Sequence, residues 1–586
     1  MIKNYLEGSA PSVTLLSFMH KRWHIATPPD EAQARQLAKA INVSLPLADI
    51  LVRRGIASYD AARDFFNPSL DLLHDPFLMQ DMDIAVKRLQ QAIDRQEKVL
   101  IYGDYDVDGT TAVALMISAL RPHLQRLDYY VPNRDTEGYG VSAAGIQWAA
   151  EQGFDLIISL DCGIKAHNTI SQAVEQGIDF IVCDHHTPGE ELPPATAILD
   201  PQRHDCRYPY KELPGCGVGF KLLQGLYQAH GWQSDSLWAL LDLVAVAIMA
   251  DMVPITGENR ILCYYGLQKL NEKPQPGLAA LIEVAGLKPP LNTGNVVFGI
   301  APRINAAGRM EHAARVVELL TGTDQEEAHL LASEINAKNE MRRDIEKDIV
   351  EQAVAMIEAE QEQRVTTVLH EPTWHKGVIG IVASKCIEHY HRPTVIFTTS
   401  NGLLTGSARS VGQFDIHAAL EACAELLEQF GGHKYAAGLS LHPDNWQAFR
   451  SRFEEVVAAT IPQEYLTPVV YIENEIDLAV ISDNFLKVIE RMAPFGPGNM
   501  RPVFATRGLR HKDLRLLKDE HIKMQVISAD GLVFDAIGFY MPQFFEKLQT
   551  VDVFDMAYVI EKNRFRDRES IQLQIKDIKF ATNTTA

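Results

Sequence analysis

The region between residues 99 and 200 alternates between short apolar runs and stretches that suit helices. The apolar runs are VLIY (99–102), LDYYV (127–131), DLIISL (155–160), DFIVC (179–183) and TAILD (196–200). Helix-compatible stretches lie between several of them, at 111–120, 143–152 and 167–176. Short β-like runs that alternate with helical segments are typical of a parallel sheet covered by helices. The pattern therefore predicts an α/β fold.

The first apolar run leads into GDYDVDGTT (103–111), where Asp104, Asp106 and Asp108 stand at alternate positions. Carboxylates this close repel one another and raise each other's pKa, and a divalent cation offsets the repulsion. An EF-hand calcium loop would open similarly, but its twelfth position should be Glu and here is Leu115. A strand also precedes the loop in place of a helix, which disfavours a calcium sensor. In α/β folds, ligands bind at the carboxyl ends of strands, where this loop is expected.

Later apolar segments end in further side chains that can bind metal ions, namely Asp161, the run Asp184, His185 and His186, and Asp251. A mixture of imidazole and a majority of carboxylates favours Mn²⁺ or Mg²⁺. The set is too large for one ion that keeps an open position, and it suits two ions that share a bridging carboxylate. Two ions about 3.5–4 Å apart hydrolyse phosphate esters by in-line attack of water.

Composition and charge limit the class of protein. The 586 residues are 46% hydrophobic, and the net charge of −21 argues weakly against non-specific binding of nucleic acid. Seven cysteines are scattered without a CxxC pair, which indicates reduced, intracellular thiols. The first thirteen residues lack the apolar core of a secretory signal, and the apolar run 237–250 is too short to span a bilayer. We therefore expect a cytoplasmic protein without a membrane segment.

A long helix is predicted over 324–364, which contain neither Gly nor Pro and repeat apolar residues at helical spacing. Residues 205–320 look mainly helical, 365–460 return to mixed α/β, and 465–586 show strand-like alternation with Gly turns. The predicted division is an N-terminal segment (1–50), a catalytic domain (51–323), a connecting helix (324–364), a second α/β domain (365–462) and a C-terminal β domain (463–586).

Taken in order, Asp106 and Asp108, then Asp161, then Asp184-His185-His186, then Asp251 resemble the four motifs of the DHH phosphoesterases. The segments PRINAAGRM (302–310), SARS (407–410) and FGGHKYAAGLS (430–440) resemble specifically the bacterial single-strand exonucleases of that family. The resemblance covers roughly residues 50–580. It implies a parallel-sheet DHH catalytic domain, a long connecting helix, an α/β DHH-associated domain and a C-terminal OB-fold β-barrel, with the first two domains facing each other across a substrate groove.

The resemblance also implies roles for individual residues. One metal ion would be held by Asp104, Asp106 and Asp161, and the other by Asp108, Asp161, His185 and Asp251, with Asp161 bridging. The residues expected to act in catalysis are Asp161, Asp184, which would support the ligands, and His186, which would contact the scissile phosphate. Smaller DHH enzymes have a histidine four residues before the second aspartate of the first motif. That position is Tyr102 here, so ligation of the first ion is the open part of the assignment.

Substrate binding is expected at basic residues in contexts rich in small residues. Arg303, Asn305 and Arg309 lie in a segment whose Gly, Pro and Asn content suggests a loop, and two arginines can clamp phosphates. The resemblance makes Ser407, Arg409 and His433 binders of the 5′ end and its phosphate. Basic stripes at 501–523 and 562–568, the latter around Phe565, would bind single strands on an OB-fold, although solvated charged faces are the alternative.

The expected function is metal-dependent 5′→3′ degradation of single-stranded DNA to 5′-mononucleotides by two-metal in-line hydrolysis, in recombination and repair. One alternative is a phosphodiesterase for short oligonucleotides or cyclic dinucleotides, whose relatives generally lack the C-terminal β domain. The other is a non-enzymatic scaffold, which the complete set of acidic ligands disfavours. The cofactors would be two Mn²⁺ or Mg²⁺ ions. The implied partners are single-stranded DNA, single-stranded-DNA-binding protein and a RecQ-type helicase, with a monomer as the default.

Overall fold

The computed structural model describes residues 21–134, 136–310, 312–360, 364–565 and 568–580, and for residues 564, 565 and 568 it describes the backbone alone. The expectation about the first thirteen residues, and that about the side chains of Arg564, Phe565, Arg566 and Arg568, therefore lie outside the described residues. Lys562 of the same stripe is described and forms ion pairs with Glu490 and Glu569. The strands are β1 Arg22–Ile25, β2 Val99–Gly103, β3 Leu127–Tyr130, β4 Leu156–Leu160, β5 Asp179–Cys183, β6 Ala197–Leu199, β7 Thr367–His370, β8 Thr394–Ser400, β9 Leu403–Arg409, β10 Gln429–His433, β11 Ala436–Leu441, β12 Val469–Ile472, β13 Asn474–Glu475, β14 Phe504–Leu517, β15 His521–Ile527, β16 Val533–Gly538, β17 Phe554–Phe565 and β18 Arg568–Phe580.

The helices are α1 Glu31–Ile41, α2 Leu45–Arg53, α3 Tyr59–Phe66, α4 Met82–Arg95, α5 Val107–Leu120, α6 Ala143–Glu151, α7 His167–Glu175, α8 Gly215–His230, α9 Asp235–Trp238, α10 Leu241–Ala250, α11 Gly257–Glu272, α12 Pro276–Val284, α13 Thr293–Asn295, α14 Ala301–Met310, α15 Ala314–Thr321, α16 Gln325–Ala359, α17 Ile379–Tyr390, α18 Ile416–Glu421, α19 Trp446–Thr460, α20 Asp483–Arg491 and α21 Phe545–Thr550. A π-helical turn, Val296–Ile300, joins α13 to α14.

The first sheet is parallel throughout, in the order β3-β2-β4-β5-β6. Every residue of β2 and β4 is buried, because helices cover both faces of the sheet. Helices α5, α8 and α10 are buried along most of their length and pack with β2 and β4 in one large core. The predicted parallel α/β sheet is confirmed, and its carboxyl edge carries the residues that follow β2, β4 and β5.

Two helices differ from the sequence-based expectation. Helix α5 begins at Val107, four residues before the predicted start at 111, because Asp106 caps it. The segment 302–310, expected as a loop, is helix α14, and that expectation was wrong. Pro302 fits inside the helix because the preceding turn is π-helical. The Ala301 N–H donates a hydrogen bond to the Val296 carbonyl, five residues earlier. This π-type bond changes the hydrogen-bonding register just before Pro302, which has no N–H to donate.

The second sheet is mixed, in the order β10-β11-β9-β8-β7, and β7 and β8 are parallel. The third sheet closes on itself, since β14 pairs with β15 and also with β17, which gives the barrel β14-β15-β16-β18-β17. The connecting helix α16 spans Gln325–Ala359 and ends before the predicted 364. These elements confirm the predicted architecture of a long helix, a second α/β region and a C-terminal barrel.

The chain divides into two compact units. The parallel-sheet unit comprises residues 60–343 and 491–501, and the barrel unit comprises residues 1–59, 344–490 and 502–586. The boundary falls within α16. In the parallel-sheet unit, Arg260 donates hydrogen bonds to the carbonyls of Phe65 and Met492, which fixes the segment 491–501. In the barrel unit, β1 pairs with β12, and Trp23 donates a hydrogen bond to Asp577.

Among the helices in the described part of the chain, none has both the length and the apolar character needed to cross a bilayer.

The basic stripe on β14 is partly neutralised within the barrel unit, where Arg507 forms ion pairs with Glu475 and Asp555.

Candidate active site

The aspartate loop is fixed by the start of helix α5. Asp106 is the N-cap, and its side chain accepts a hydrogen bond of 3.0 Å from the Gly109 N–H. Gly109 lies against the backbone of Asp104, where a Cβ would stand only 2.4 Å from the Asp104 carbonyl oxygen. A glycine is therefore required for the loop to close tightly between strand and helix. The loop buries Asp104 and Asp108, each only 1% exposed.

Asp108 is bound by the N-terminus of helix α8. Its two carboxylate oxygens accept hydrogen bonds from the backbone N–H groups of Gly215, at 2.6 Å, and Cys216, at 2.9 Å. Free N–H groups and the helix dipole at this end both favour a negative charge. The first turn of α8 thus holds a carboxylate of the site in place.

Asp161 follows β4 in a left-handed backbone conformation, with φ of 60°, which few residues other than glycine adopt. Its N–H donates to the Cys183 carbonyl at 2.9 Å, and Tyr139 donates its hydroxyl to the Asp161 carbonyl at 3.0 Å. Gly215 packs directly against it, so that a Cβ there would lie 2.5 Å from the Asp161 Cα. The backbone of Asp161 is therefore constrained from several directions.

The residues after β5 form a connected group around Asp184. One Asp184 oxygen accepts from the Ile164 N–H at 2.9 Å, and the other accepts from His186 Nδ1 at 2.7 Å. His185 Nε2 lies 3.1 Å from an Asp161 oxygen, 3.9 Å from Asp108 and 3.8 Å from Asp251. His185 thus faces three carboxylates, while His186 is oriented by Asp184.

The predicted metal ligands meet in overlapping clusters. Three sets of side chains each bring one donor atom per residue within 4.8 Å of the others: Asp104 with Asp106 and Asp161, Asp108 with His185 and Asp251, and Asp161 with His185 and His186. Asp161 belongs to the first and the third set and also lies next to His185 of the second. The geometry brings together all six residues expected to bind metal, from four separate segments of the chain.

The electrostatics of the cluster are those of crowded, buried carboxylates. Burial, followed by the charges of neighbouring aspartates, raises the pKa of Asp104 and Asp161 well above the usual range. The same causes raise the pKa of Asp108 to about 7 and that of Asp251 to about 8. This repulsion favours either protons or cations in the cluster.

The two histidines shift in opposite directions. Burial, and then the nearby His186, lower the pKa of His185 to about 4, so its ring is neutral and can bind a metal ion. Burial would also lower the pKa of His186, but the hydrogen bond and charge of Asp184 outweigh it and raise the pKa. Burial by itself would raise the pKa of Asp184, but the hydrogen bond and charge of His186 and the Ile164 N–H lower it. Asp184 and His186 therefore each stabilise the charged form of the other.

Tyr102, at the position of a histidine in smaller DHH enzymes, is fully buried and packs in a stack with Tyr130. Its hydroxyl donates to the Gly140 carbonyl at 3.1 Å and accepts from the Ser142 N–H at 3.0 Å. Burial raises the pKa of the phenol, so it stays neutral. Tyr102 supports the loop 140–142, and Asp104 instead stands within the metal-ligand cluster.

The three residues expected to bind substrate on α14 are held in different ways. Arg303 donates to the Gly299 carbonyl at 2.6 Å and to Asn336 of α16 at 2.9 Å. Asn305 is half-buried. Arg309 lies near Tyr105. Burial raises the pKa of Tyr105, and the charge of Arg309 opposes part of that rise. Helix α14 abuts the aspartate loop through Gly308, where a Cβ would be 2.7 Å from the Tyr105 carbonyl.

The other expected substrate residues lie in the barrel unit. Arg409, at the end of β9, donates to the Ser407 hydroxyl at 2.9 Å. The start of α17 packs on this pair, since a Cβ at Gly380 would contact both side chains. In the sheet, His433 is paired with Ala436, and Ala436 is paired with Arg409, so His433 lies two strands from Arg409.

Several residues at the site were not anticipated from the sequence. Tyr139 places its hydroxyl 3.1 Å from His186 Nε2. Arg134 lies over the ring of Tyr105, 5.2 Å from its centroid, and its charge opposes the raised pKa of Asp104. Asp200, fully buried at the end of β6, has a pKa raised by burial to about 7. Asp200 could have been found from the sequence, because it stands at the end of the strand-like run TAILD, just as the other acids follow their strands. Tyr139 and Arg134 lie in a loop whose sequence has no periodic pattern that would single them out.

Comparison with known proteins identifies the regions of this chain. A family model described as the DHH family, N-terminal domain, matches residues 98–248, a DHHA1 domain model matches 361–459, and a RecJ OB domain model matches 472–577. The single-stranded-DNA-specific exonuclease RecJ of Bacillus subtilis is 35% identical over 561 residues, covering 95% of this chain and 70% of the relative. The protein of the same name from Dickeya dadantii is 36% identical, covering 87% and 92%.

The fold comparison agrees. The crystal structure of RecJ in complex with Mn²⁺ from Thermus thermophilus superimposes with a TM-score of 0.82 at 27% identity, covering 96% of this chain and 80% of that one. A structure of the same protein in complex with Mg²⁺ gives a TM-score of 0.76. The expected family is confirmed, and the chain belongs to the RecJ family of DHH proteins.

Proposed function

We propose that the protein is a metal-dependent exonuclease that degrades single-stranded DNA from the 5′ end to 5′-mononucleotides. The observation that carries the proposal is the convergence of five aspartates and one histidine from four segments at the carboxyl edge of the sheet. The RecJ relatives, named as single-stranded-DNA-specific exonucleases, support the substrate, and the closed barrel that matches the RecJ OB domain supports binding of a single strand. The same barrel disfavours the alternative of a phosphodiesterase for short oligonucleotides or cyclic dinucleotides, whose relatives generally lack this domain.

The donor set fits two divalent ions. Oxygen donors predominate, as Mn²⁺ and Mg²⁺ require, and one neutral imidazole is compatible with Mn²⁺ in particular. Among the described residues the buried Asp104 Oδ1 has no hydrogen-bond partner, which a cation would satisfy. We propose Asp104, Asp106 and Asp161 for one ion, and Asp108, Asp161, His185 and Asp251 for the other. The chemistry that bound ions would supply is activation of water for attack at neutral pH and neutralisation of charge on the phosphate.

The protein's own groups would orient the phosphate and supply a proton. His186 donates Nδ1–H to Asp184, which directs Nε2 away from that carboxylate and fixes the ring. Asp184 raises the pKa of the imidazole against the lowering effect of burial, which favours a second proton at Nε2 that could be donated to a phosphate oxygen or to the leaving oxygen. Tyr139, whose hydroxyl is 3.1 Å from Nε2, would keep the ring in this orientation until substrate binds.

We also propose that Arg303, Asn305 and Arg309 bind the strand near the metal site, and that Ser407, Arg409 and His433 bind the 5′ phosphate. The start of α17, with the N–H groups of its first turn beside Ser407 and Arg409, supports an anion site there. By family resemblance alone, we propose a role in recombination and repair in the cytoplasm, and contacts with single-stranded-DNA-binding protein and a RecQ-type helicase. A monomer and the five-part domain division remain proposals on the same basis.

The test is digestion of single strands labelled at the 5′ end or at the 3′ end, with Mn²⁺, Mg²⁺ or EDTA. We expect labelled mononucleotide to be released at once from the 5′ end, with none from a blunt duplex and none in EDTA. Asp161→Asn is the matched control, because it keeps the shape of a cluster residue but removes its charge. Release from the 3′ end, or equal activity of Asp161→Asn, would refute the proposal.

A further inference from the structure

The strongest feature outside the metal cluster is an exposed aromatic residue beside two arginines. Phe298 is 83% exposed, and it stands in the π-helical turn that precedes α14. Single exposed apolar side chains are common on proteins, but π-helical turns occur disproportionately at functional positions. The surface formed by Phe298, Arg303, Asn336 and Arg343 is called here the π-turn surface. All four residues belong to the parallel-sheet unit.

Arg303 is held in a fixed direction on this surface. Its side chain folds back along the helix to the Gly299 carbonyl, one residue from Phe298, and its Nε donates to Asn336 of α16. Asn336 in turn donates to Glu340 one turn further along α16. The guanidinium is therefore fixed by the Gly299 carbonyl, next in the chain to Phe298, and by Asn336. This lowers the entropy lost when it binds an anion.

Arg343 brings a second positive charge to the same place. Arg343 is exposed and stands seven residues after Asn336, on the same face of α16. Burial, and then the charge of Arg343, lower the pKa of Arg303. Glu340 offsets part of this repulsion. Two arginines on one surface that are only partly neutralised favour an anion with several oxygens, such as a phosphodiester.

The distance from the metal cluster limits which nucleotide could reach this surface. Gly308 contacts the aspartate loop, and Arg303 and Phe298 lie five and ten residues earlier on the same continuous helix. At 1.5 Å per residue, they stand about 7 Å and about 15 Å along the axis from that contact. At the 3.4 Å spacing of stacked nucleotides, the longer interval corresponds to no more than about four nucleotides.

We propose that the π-turn surface binds the undegraded strand on the 3′ side of the scissile phosphate, with Phe298 stacking on a base and Arg343 joining Arg303 on a backbone phosphate. The inference rests on the proposed function. An exonuclease that releases mononucleotides from the 5′ end has a single nucleotide on the 5′ side of the cut. A nucleotide several positions away must therefore belong to the 3′ side.

The test compares a trinucleotide with an oligothymidylate of about 20 nucleotides, both 5′-phosphorylated, using the full-length protein with Mn²⁺. Phe298→Ala should raise KM on the long strand by roughly five- to a hundredfold, the usual effect of losing one base stack, and leave the trinucleotide unchanged. Phe298→Trp should retain wild-type KM. Phe77→Ala, at another exposed aromatic in the same unit, is the matched control.

Arg343→Gln should raise KM on the long strand and reduce the slope of log affinity against log salt by about 0.7, the share of one phosphate contact. Lys87→Gln, at an exposed cation on α4, should change neither quantity. Unchanged KM of Phe298→Ala on the long strand, or equal losses on both substrates, would overturn the inference while the exonuclease activity stands. If the wild-type protein degrades neither strand, the proposed function fails. Fluorescence anisotropy of the long strand in EDTA then tests the surface separately, and equal affinity of Phe298→Ala and wild type there would overturn the inference as well.

Discussion

The contact between Gly215 and Asp161 is where a single methyl group should have the largest effect on the site. A Cβ at Gly215 would lie 2.5 Å from both the Cα and the Cβ of Asp161, and 2.8 Å from its nitrogen. None of these atoms can move by a change of rotamer. The Gly215 N–H also donates to Asp108 at 2.6 Å, so Gly215→Ala disturbs two of the expected ligands at once.

The size of the effect follows from the displacement. Ordinary contacts begin at 3.4 Å, so helix α8 or the Asp161 backbone must shift by close to 1 Å. A misplacement of about 1 Å at a catalytic group costs on the order of a hundredfold in rate. We therefore expect Gly215→Ala to lower kcat about a hundredfold and to weaken Mn²⁺ binding about 10–100-fold, as changes next to metal ligands do.

Gly219→Ala is the matched control, one turn further along the same helix. A Cβ there would meet the Leu160 Cδ2 at 2.9 Å and the Met116 Cε at 3.7 Å, both at the ends of flexible side chains. Alanine also favours the helical state over glycine by about 1 kcal/mol, which offsets the cost of that adjustment. The control should keep near-wild-type activity and thermal stability.

The assay measures single-turnover cleavage of a 5′-labelled strand, Mn²⁺ affinity by calorimetry, and the unfolding temperature in EDTA for both variants. Near-wild-type rate and Mn²⁺ affinity in Gly215→Ala would show that the helix can yield without moving Asp161. Equal losses in Gly219→Ala would show that the effect belongs to α8 as a whole. Either result would refute the reasoning.

Three further outcomes are expected. Tyr139→Phe removes the hydroxyl that contacts His186 and donates to the Asp161 carbonyl, and it should lower kcat about 3–10-fold, the worth of one hydrogen bond, with a small fall in the unfolding temperature. Asp104→Asn should reduce the Mn²⁺ stoichiometry measured by calorimetry from two ions toward one, and unchanged stoichiometry would assign the first site elsewhere. In EDTA, the native state should hold extra protons on Asp108 and Asp251, whose pKa values of about 7 and about 8 exceed those of unfolded aspartate. Stability of the metal-free protein should therefore fall as pH rises from about 5 to about 8, and saturating Mn²⁺ should remove that decline.

The parallel sheet could be predicted because its signal is local. The strands β2 and β4 are apolar along their whole length, as buried parallel strands must be, and helices separate them at short range. Once the strands were placed, the edge where ligands gather followed from topology. The acids that directly follow β2, β4 and β5 were therefore within reach of sequence reasoning.

The contacts that fix those acids could not be predicted, because they join distant parts of the chain. Asp108 is bonded by the N-terminus of a helix more than a hundred residues later. Helix α14 was predicted as a loop because its Gly, Pro and Asn residues are typical of loops. The π-helical turn that accommodates Pro302 has no simple sequence pattern by which it could be predicted. Tyr139 reaches His186 from a loop whose course depends on the buried Tyr102 hydroxyl.

The carboxylates of the cluster are brought together by the backbone and not by attraction between them. Asp108 is bound by helix α8, Asp184 by the Ile164 N–H, and Asp161 by its strained backbone and the packed Gly215. The backbone N–H groups that bind Asp108 and Asp184 would be buried without a partner if these acids moved away, so these two restraints persist when no cation is bound. The repulsion therefore cannot relax by movement, and it lowers the stability of the metal-free state. Bound ions relieve it, so the same geometry that would position substrate also links metal binding to the stability of the fold.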